Sequence, residues 1–132
     1  MKKTLYRLAV LFLISGLMLS AWCGGGGEDD PTISNDIKLL LPQKDAKDVP
    51  LNVELKWELK NTPPAGTMYE YDVYLDTNDP PAAKVGTHIT VPSSFWPTVS
   101  SGTTYYWKVV GIDYNSNNII ESVTWKFTTV QQ

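Results

Sequence analysis

Cysteine, histidine and arginine each occur once in this 132-residue chain, and each scarcity removes a class of chemistry. With Cys23 as the sole thiol no intramolecular disulfide can form, so stability must come from packing. His88 is the lone imidazole, and no Ser–His–acid arrangement can be argued around it. A surface or structural role is therefore expected for it. Nucleic-acid binding normally calls for a basic, arginine-bearing patch, and beyond Arg7 there is no arginine. The longest apolar run, Leu8 to Met18, falls short of the roughly 20 residues a membrane-spanning helix needs.

What is present begins with that run. Met1, Lys2, Lys3 and Arg7 form a basic start, the apolar stretch follows, and Leu19-Ser20-Ala21-Trp22-Cys23 leads out of it. Basic end, apolar middle and small-residue exit are the anatomy of a secretory signal. With a cysteine at the exit, the segment resembles a bacterial lipoprotein signal. Ser20 and Ala21 suit that pattern, whereas Trp22 is bulky for the last position and Leu19 lies one place early. The resemblance implies a signal peptide over 1–22, with Cys23 lipidated and the first mature residue. Gly24 to Gly27 and Glu28-Asp29-Asp30 then read as a flexible, solvated tether over 23–35. Acidic residues directly after such a cysteine resemble the export signals of surface-exposed lipoproteins. The expected location is the bacterial cell envelope, as an outer-membrane lipoprotein facing either the periplasm or the cell surface.

Removing Lys2, Lys3 and Arg7 with the signal leaves eight basic against fourteen acidic residues, a formal charge of −6. That balance argues against nucleic-acid partners and against an electrostatic grip on anionic lipid.

The remainder, 36–130, suffices for one domain with a modest core. Its periodicity is two. Val53-Glu54-Leu55-Lys56-Trp57-Glu58 alternates apolar and charged residues, which predicts a strand with one buried face. Tyr69 to Asp76 repeats the pattern, with Tyr69, Tyr71, Val73 and Leu75 on one side and Glu70, Asp72, Tyr74 and Asp76 on the other. Further strands are predicted over Tyr105–Ile112 and over 123–128, where Val123, Trp125 and Phe127 face inward. Shorter ones are expected around Ile37–Leu41, Lys84–Ile89 and Phe95–Val99. Turn chemistry at 61–66, 77–81 and 115–118 separates them. No helical stripe follows the signal. The expected fold is an all-β sandwich of about seven strands.

The order of landmarks is familiar. Leu41-Pro42 and Val49-Pro50 precede Leu55-Lys56-Trp57; Tyr71-Asp72-Val73-Tyr74, then Val99 to Val109, then Trp125-Lys126-Phe127-Thr128-Thr129 follow. This resembles a bacterial fibronectin type III domain, an immunoglobulin-like sandwich, over nearly the whole mature chain. The resemblance implies that Trp57 sits in the core and that Tyr105, six residues after Val99, is the tyrosine corner. Val99 replaces a more usual leucine, and Asn115–Asn118 stands where the family often has glycine. The resemblance also turns Trp96 inward and Phe95 outward.

Asp76, Asn78 and Asp79, or Asp113, Asn115 and Asn117, could offer oxygen to calcium, but Asn118 replaces the turn glycine and Thr124 the bidentate glutamate. Turn formation is the expected role, and no metal or cofactor is expected. Trp57, Trp107 and Trp125 are expected in the core. Tyr74, Phe95 and Tyr106 remain as a candidate binding surface, since exposed aromatic rings stack on sugars or anchor protein contacts. Cross-strand support is the competing role of such rings. Unpaired edge strands offer a further route, the addition of a partner's strand. The expected function is non-catalytic: a lipid-anchored module contacting an envelope or extracellular protein, the alternative being carbohydrate binding.

Overall fold

The computed structural model describes residues 34–90 and 93–132; the signal, Cys23 and most of the tether lie outside them. Nine strands form, all the described residues being β or irregular: β1 Ile37–Leu41, β2 Ala46–Val49, β3 Leu55–Leu59, β4 Tyr69–Asp76, β5 Lys84–Ile89, β6 Ser94–Phe95, β7 Thr104–Asp113, β8 Ile119–Glu121 and β9 Trp125–Thr129. They make a three-stranded sheet, β1-β3-β6, and a six-stranded sheet, β2-β9-β7-β4-β5, with β8 also pairing with β7.

Burial follows the period-two pattern. In β3, Leu55 and Trp57 are buried while Lys56 and Glu58 are exposed. In β4, Tyr71, Val73 and Leu75 are buried, and they join Trp107, Val109 and Phe127 of β7 and β9 in one core. Trp57 packs its edge on Tyr71, with ring centroids 5.6 Å apart. Such edge-to-face pairs contribute about 0.5–1.5 kcal/mol beyond area burial. Trp125 is half-buried and lies against this core rather than inside it.

Two side chains face opposite to the sequence-based expectation. Phe95 stands directly across from Leu55, and partners across an antiparallel pair share a face. Phe95 is therefore turned inward, packed beside Ile89 and over Gly86, and Trp96 is left 59% exposed. Val123 is likewise 50% exposed instead of buried. The reason is local: the Ser122 hydroxyl accepts a hydrogen bond from Val109 N, 2.9 Å, and donates to Val123 O. This insertion interrupts the edge between β8 and β9, and the alternation restarts at Trp125. The strand expected over Phe95–Val99 shrinks to Ser94–Phe95.

Gly111 is required where it stands. A β-carbon there would lie 2.9 Å from Ile120 Cγ1 and 3.1 Å from the Tyr71 ring. Gly111→Ala is expected to destabilise the domain by about 1–3 kcal/mol through overpacking, to be read as a lowered urea midpoint at unchanged slope.

The register fixes two ends. Ile37 pairs with Leu59, Tyr69 with Asp113, Ile112 with Ile119, and Ser34 bridges to Ile120. The chain therefore enters beside the 60–68 and 114–118 loops. Asp76, Tyr106 and Lys126 mark the opposite half of the larger sheet.

Candidate functional site

Of the three aromatic residues proposed for contact, two share a face. Tyr74 pairs with Lys108 and Tyr106 with Asp76, so on paired strands β4 and β7 both tyrosines project from the outer side of the larger sheet. Phe95 does not join them, being packed inward on the other sheet.

The two tyrosines differ in what surrounds them. Two ammonium groups lie over the Tyr74 ring, Lys84 Nζ 5.5 Å and Lys108 Nζ 5.7 Å from its centroid. Each lysine is held in turn: Lys84 by Asp72 at 2.6 Å and Lys108 by Glu121 at 3.4 Å. The Asp72 carboxylate keeps the Lys84 ammonium protonated above its ordinary range. The ring is thus already engaged by two cations, and Tyr74 is a poor stacking platform. Tyr106 is half-buried without such a cage, and it opens onto a polar cleft of about 280 Å³ lined also by Lys44, Asp45, Asp79, Thr124 and Lys126.

The turn-forming carboxylates are committed to the fold. Asp113 accepts from Ser116 Oγ at 2.5 Å, Asn115 N at 3.1 Å and Met68 N at 3.2 Å. These donors, the Ser116 hydroxyl foremost, lower its pKa. Asp76 accepts from the backbone and side chain of Asn78 and from Ala82 N and Ala83 N, and its pKa falls chiefly because of the Asn78 amide. Both sets of residues weighed above for calcium thus direct their first carboxylate at loop donors.

His88 lies on the edge strand β5 with φ 53°, a left-handed kink within a strand. Its ring is largely exposed and Nδ1 sits 2.6 Å from Glu70 Oε2. The hydrogen bond to Glu70, then its charge, raises the imidazole pKa. Because the folded-state value exceeds the unfolded one, the stabilisation is present below the unfolded pKa of about 6.5 and is lost as pH rises through the folded pKa. NMR titration is expected to give an elevated His88 pKa that Glu70→Gln returns towards the ordinary value. The kink and the two register shifts between β4 and β5, with Lys84 on the edge, blunt this strand against addition of a partner's strand.

A second surface, unforeseen from the sequence, occupies the chain-entry end. A largely apolar groove of about 410 Å³ runs between the two loops there, lined by Leu59, Pro63, Met68, Tyr69 and Tyr114 among others, with Glu70 as its one charged residue. Met68 is 64% and Tyr114 72% exposed. The loops are stitched together: Tyr114 N donates to Met68 O at 2.8 Å, and Asn115 Nδ2 to Gly66 O at 2.7 Å. The groove walls are therefore preorganised. Isolated Met68 and Tyr114 carry no periodic signal, so only the loop pairing reveals them.

At the opposite end, Ser100 N donates to the Tyr105 hydroxyl at 3.0 Å, and Tyr105 stacks on Phe127 with centroids 5.8 Å apart. Buried Thr129 closes the same corner, accepting from Thr103 N at 2.9 Å and donating to Ser100 O at 2.6 Å.

No family model and no curated protein matches the chain. Among solved structures, a β-1,2-glucanase from Parabacteroides distasonis is similar to it, with a TM-score of 0.55 and 19% identity over 76% of this chain. The chain spans 13% of that protein's length. At this identity the likeness concerns the β-sandwich-like fold alone.

Proposed function

We propose that this chain is a non-catalytic binding module of the bacterial cell envelope, held by a lipid on Cys23, whose fibronectin type III-like domain contacts a partner protein. The observation that carries this reading is the outer face of the larger sheet, where Tyr106 stands half-exposed among paired lysines and carboxylates. A ring with an apolar face and a hydroxyl, rimmed by charges that fix register, has the composition of a protein contact. The shifted carboxylates are engaged by loop donors and the lone imidazole by Glu70, which leaves no poised nucleophile–base pair among the described residues and supports a non-catalytic role.

The immunoglobulin-like assignment is supported by β3 lying between β1 and β6, by β7 lying between β4 and β9, and by the bond from Ser100 N to the Tyr105 hydroxyl. Trp57, 1% exposed, occupies the core position the resemblance implies.

The test is affinity capture from envelope extract with the full-length, membrane-extracted protein. A specific partner is expected, and Tyr106→Ser is expected to weaken its binding at least about tenfold. Recovery of no partner, or of one indifferent to Tyr106→Ser, would remove the proposed face.

Carbohydrate binding is the second reading, favoured by the cleft beside Tyr106. One ring among Asp45, Asp79, Thr124 and Lys126 combines a stacking face with hydrogen-bonding groups. The glycan-cleaving activity named for the structural neighbour adds only a reason to include β-glucans among the ligands tried. Saturable calorimetric titration by one glycan, abolished by Tyr106→Ser, would select this reading; flat isotherms across the panel would end it.

A further inference from the structure

The groove at the chain-entry end stands apart from the Tyr106 face, and its surroundings point to a different occupant. Its two loops, 61–68 and 114–118, include no charged side chain, and Glu70 is the one charged residue that lines it. The carboxylates nearby are turned to internal partners: Asp113 to loop donors, Asp36 to the Ser34 hydroxyl, and Glu70 to His88. Towards the opposite half lie Lys44, Asp45, Lys47, Asp48 and Asp79, all exposed or nearly so. The groove end therefore offers a headgroup boundary more apolar and less exposed charged surface than the opposite one, so its desolvation costs less.

The chain enters at the same end. Ser34 O accepts from Glu121 N at 2.9 Å, and Lys60 N donates to Asp36 O at 2.8 Å, which fixes the entry point beside the groove. Ser34 lies eleven positions beyond Cys23. A flexible chain of eleven links spans about 17–20 Å on average and about 36–40 Å at full stretch. The ten residues of β7 measure about 33 Å from end to end. Bringing the opposite end to the membrane would therefore demand an almost fully extended tether, whereas the groove end meets it at the tether's ordinary length.

We propose that this end docks on the lipid surface, with Met68 and Tyr114 inserted at the headgroup boundary. Tyrosine suits that boundary, its ring in the apolar zone and its hydroxyl in the wet one, and methionine adapts to irregular packing. The proposal rests on the Cys23 anchor. It leaves the Tyr106 cleft, in the opposite half of the sheet, directed away from the membrane and free for a partner.

The test uses the full precursor expressed in a bacterium that lipidates such signals, purified in detergent and reconstituted into phosphatidylethanolamine–phosphatidylglycerol vesicles. Intact mass first establishes the adduct. With Cys23 acylated, Ala65→Cys at the groove end or Thr77→Cys at the other end supplies a free thiol for a fluorophore. Headgroup nitroxide lipids are expected to quench the label at 65 more than that at 77, and Met68→Ser with Tyr114→Ser is expected to abolish the difference. An adduct with equal quenching at both ends would overturn the docking while leaving the anchor intact. Asymmetry that survives the double substitution would also overturn it, since the tether alone would then orient the domain. A label at 65 shielded by a second copy, seen as a cross-linked dimer insensitive to the nitroxide, would replace the lipid with that copy. A mass without adduct would remove anchor and docking together.

Discussion

Trp107→Ala is expected to cost about 3–5 kcal/mol, the range for deleting a fully buried aromatic ring. Trp107 is 0% exposed on β7, where Leu75 of β4 and Trp125 of β9 flank it in register. Removing it opens a void between the sheets that neither neighbour can fill without leaving its own strand. A domain of this size has about 5–15 kcal/mol in total. The loss should thus lower Tm by more than about 12 °C, or unfold the domain at ambient temperature. Trp107→Phe separates packing from polarity. The indole N–H of Trp107, like that of Trp57, finds no acceptor among the described residues. An unpaired buried donor costs about 1–3 kcal/mol, so phenylalanine recovers part of the ring and also removes that penalty. It is expected to fall well short of the alanine cost. Urea unfolding of the three proteins in parallel would show the ordering, and an alanine variant within about 0.5 kcal/mol of the wild type would contradict the assigned core.

The same experiment applied to residues 95 and 96 bears on what the sequence can disclose. Alternation located β4 to the residue at both ends and put Leu55 and Trp57 inside, because a buried face imposes a strict period of two on any strand of five or more residues. Phe95 and Trp96 lie in a two-residue strand, too short for a period, so the resemblance alone oriented them, and it reversed them. Phe95→Ala should therefore cost several-fold more than Trp96→Ala. β2 and β8 escaped notice for a related reason: Ala46-Lys47-Asp48-Val49 and Ile119-Ile120-Glu121 contain too few apolar residues for a pattern, and each exists only because a long strand lies beside it. Val123 was misplaced by a serine hydroxyl standing in for a ladder donor and acceptor, a substitution no hydropathy pattern records. For the candidate surfaces the division is similar. Tyr74 and Tyr106 could be assigned to one face from parity. That Lys84 and Lys108 cage one ring and leave the other open depends on cross-strand geometry, as does the groove made by two loops about 45 residues apart in sequence.

Cys23→Ala is expected to release the protein from the membrane fraction, the largest functional change any single substitution here should produce. Each buried methylene of an acyl chain contributes about 0.8 kcal/mol, and even one myristoyl-length chain confers membrane binding of about 10⁴ M⁻¹. Without the thiol, what remains is a domain of formal charge −6, which anionic headgroups do not attract, and an exposed pair, Met68 and Tyr114, too small to hold it there. Fractionation should therefore shift from almost wholly membrane-bound to almost wholly released, provided the signal has been removed. That condition matters, because an uncleaved chain would keep Leu8 to Met18 and stay in the membrane by another route. Intact mass resolves the two: a wild-type product beginning at Cys23 with a lipid adduct, against a retained variant beginning at Met1 or a released one without adduct. Salt supplies the complementary control. Acyl anchoring is insensitive to ionic strength, whereas charge-based adhesion weakens as the Debye length contracts from about 10 Å at 0.1 M to about 3 Å at 1 M. Wild-type protein that washes off in salt would remove the lipid as the holding force, and with it the reason for the groove end to face the bilayer. Protein that resists salt yet is shaved from whole cells by protease would combine an anchored entry end with an accessible Tyr106 face, the orientation that partner binding requires.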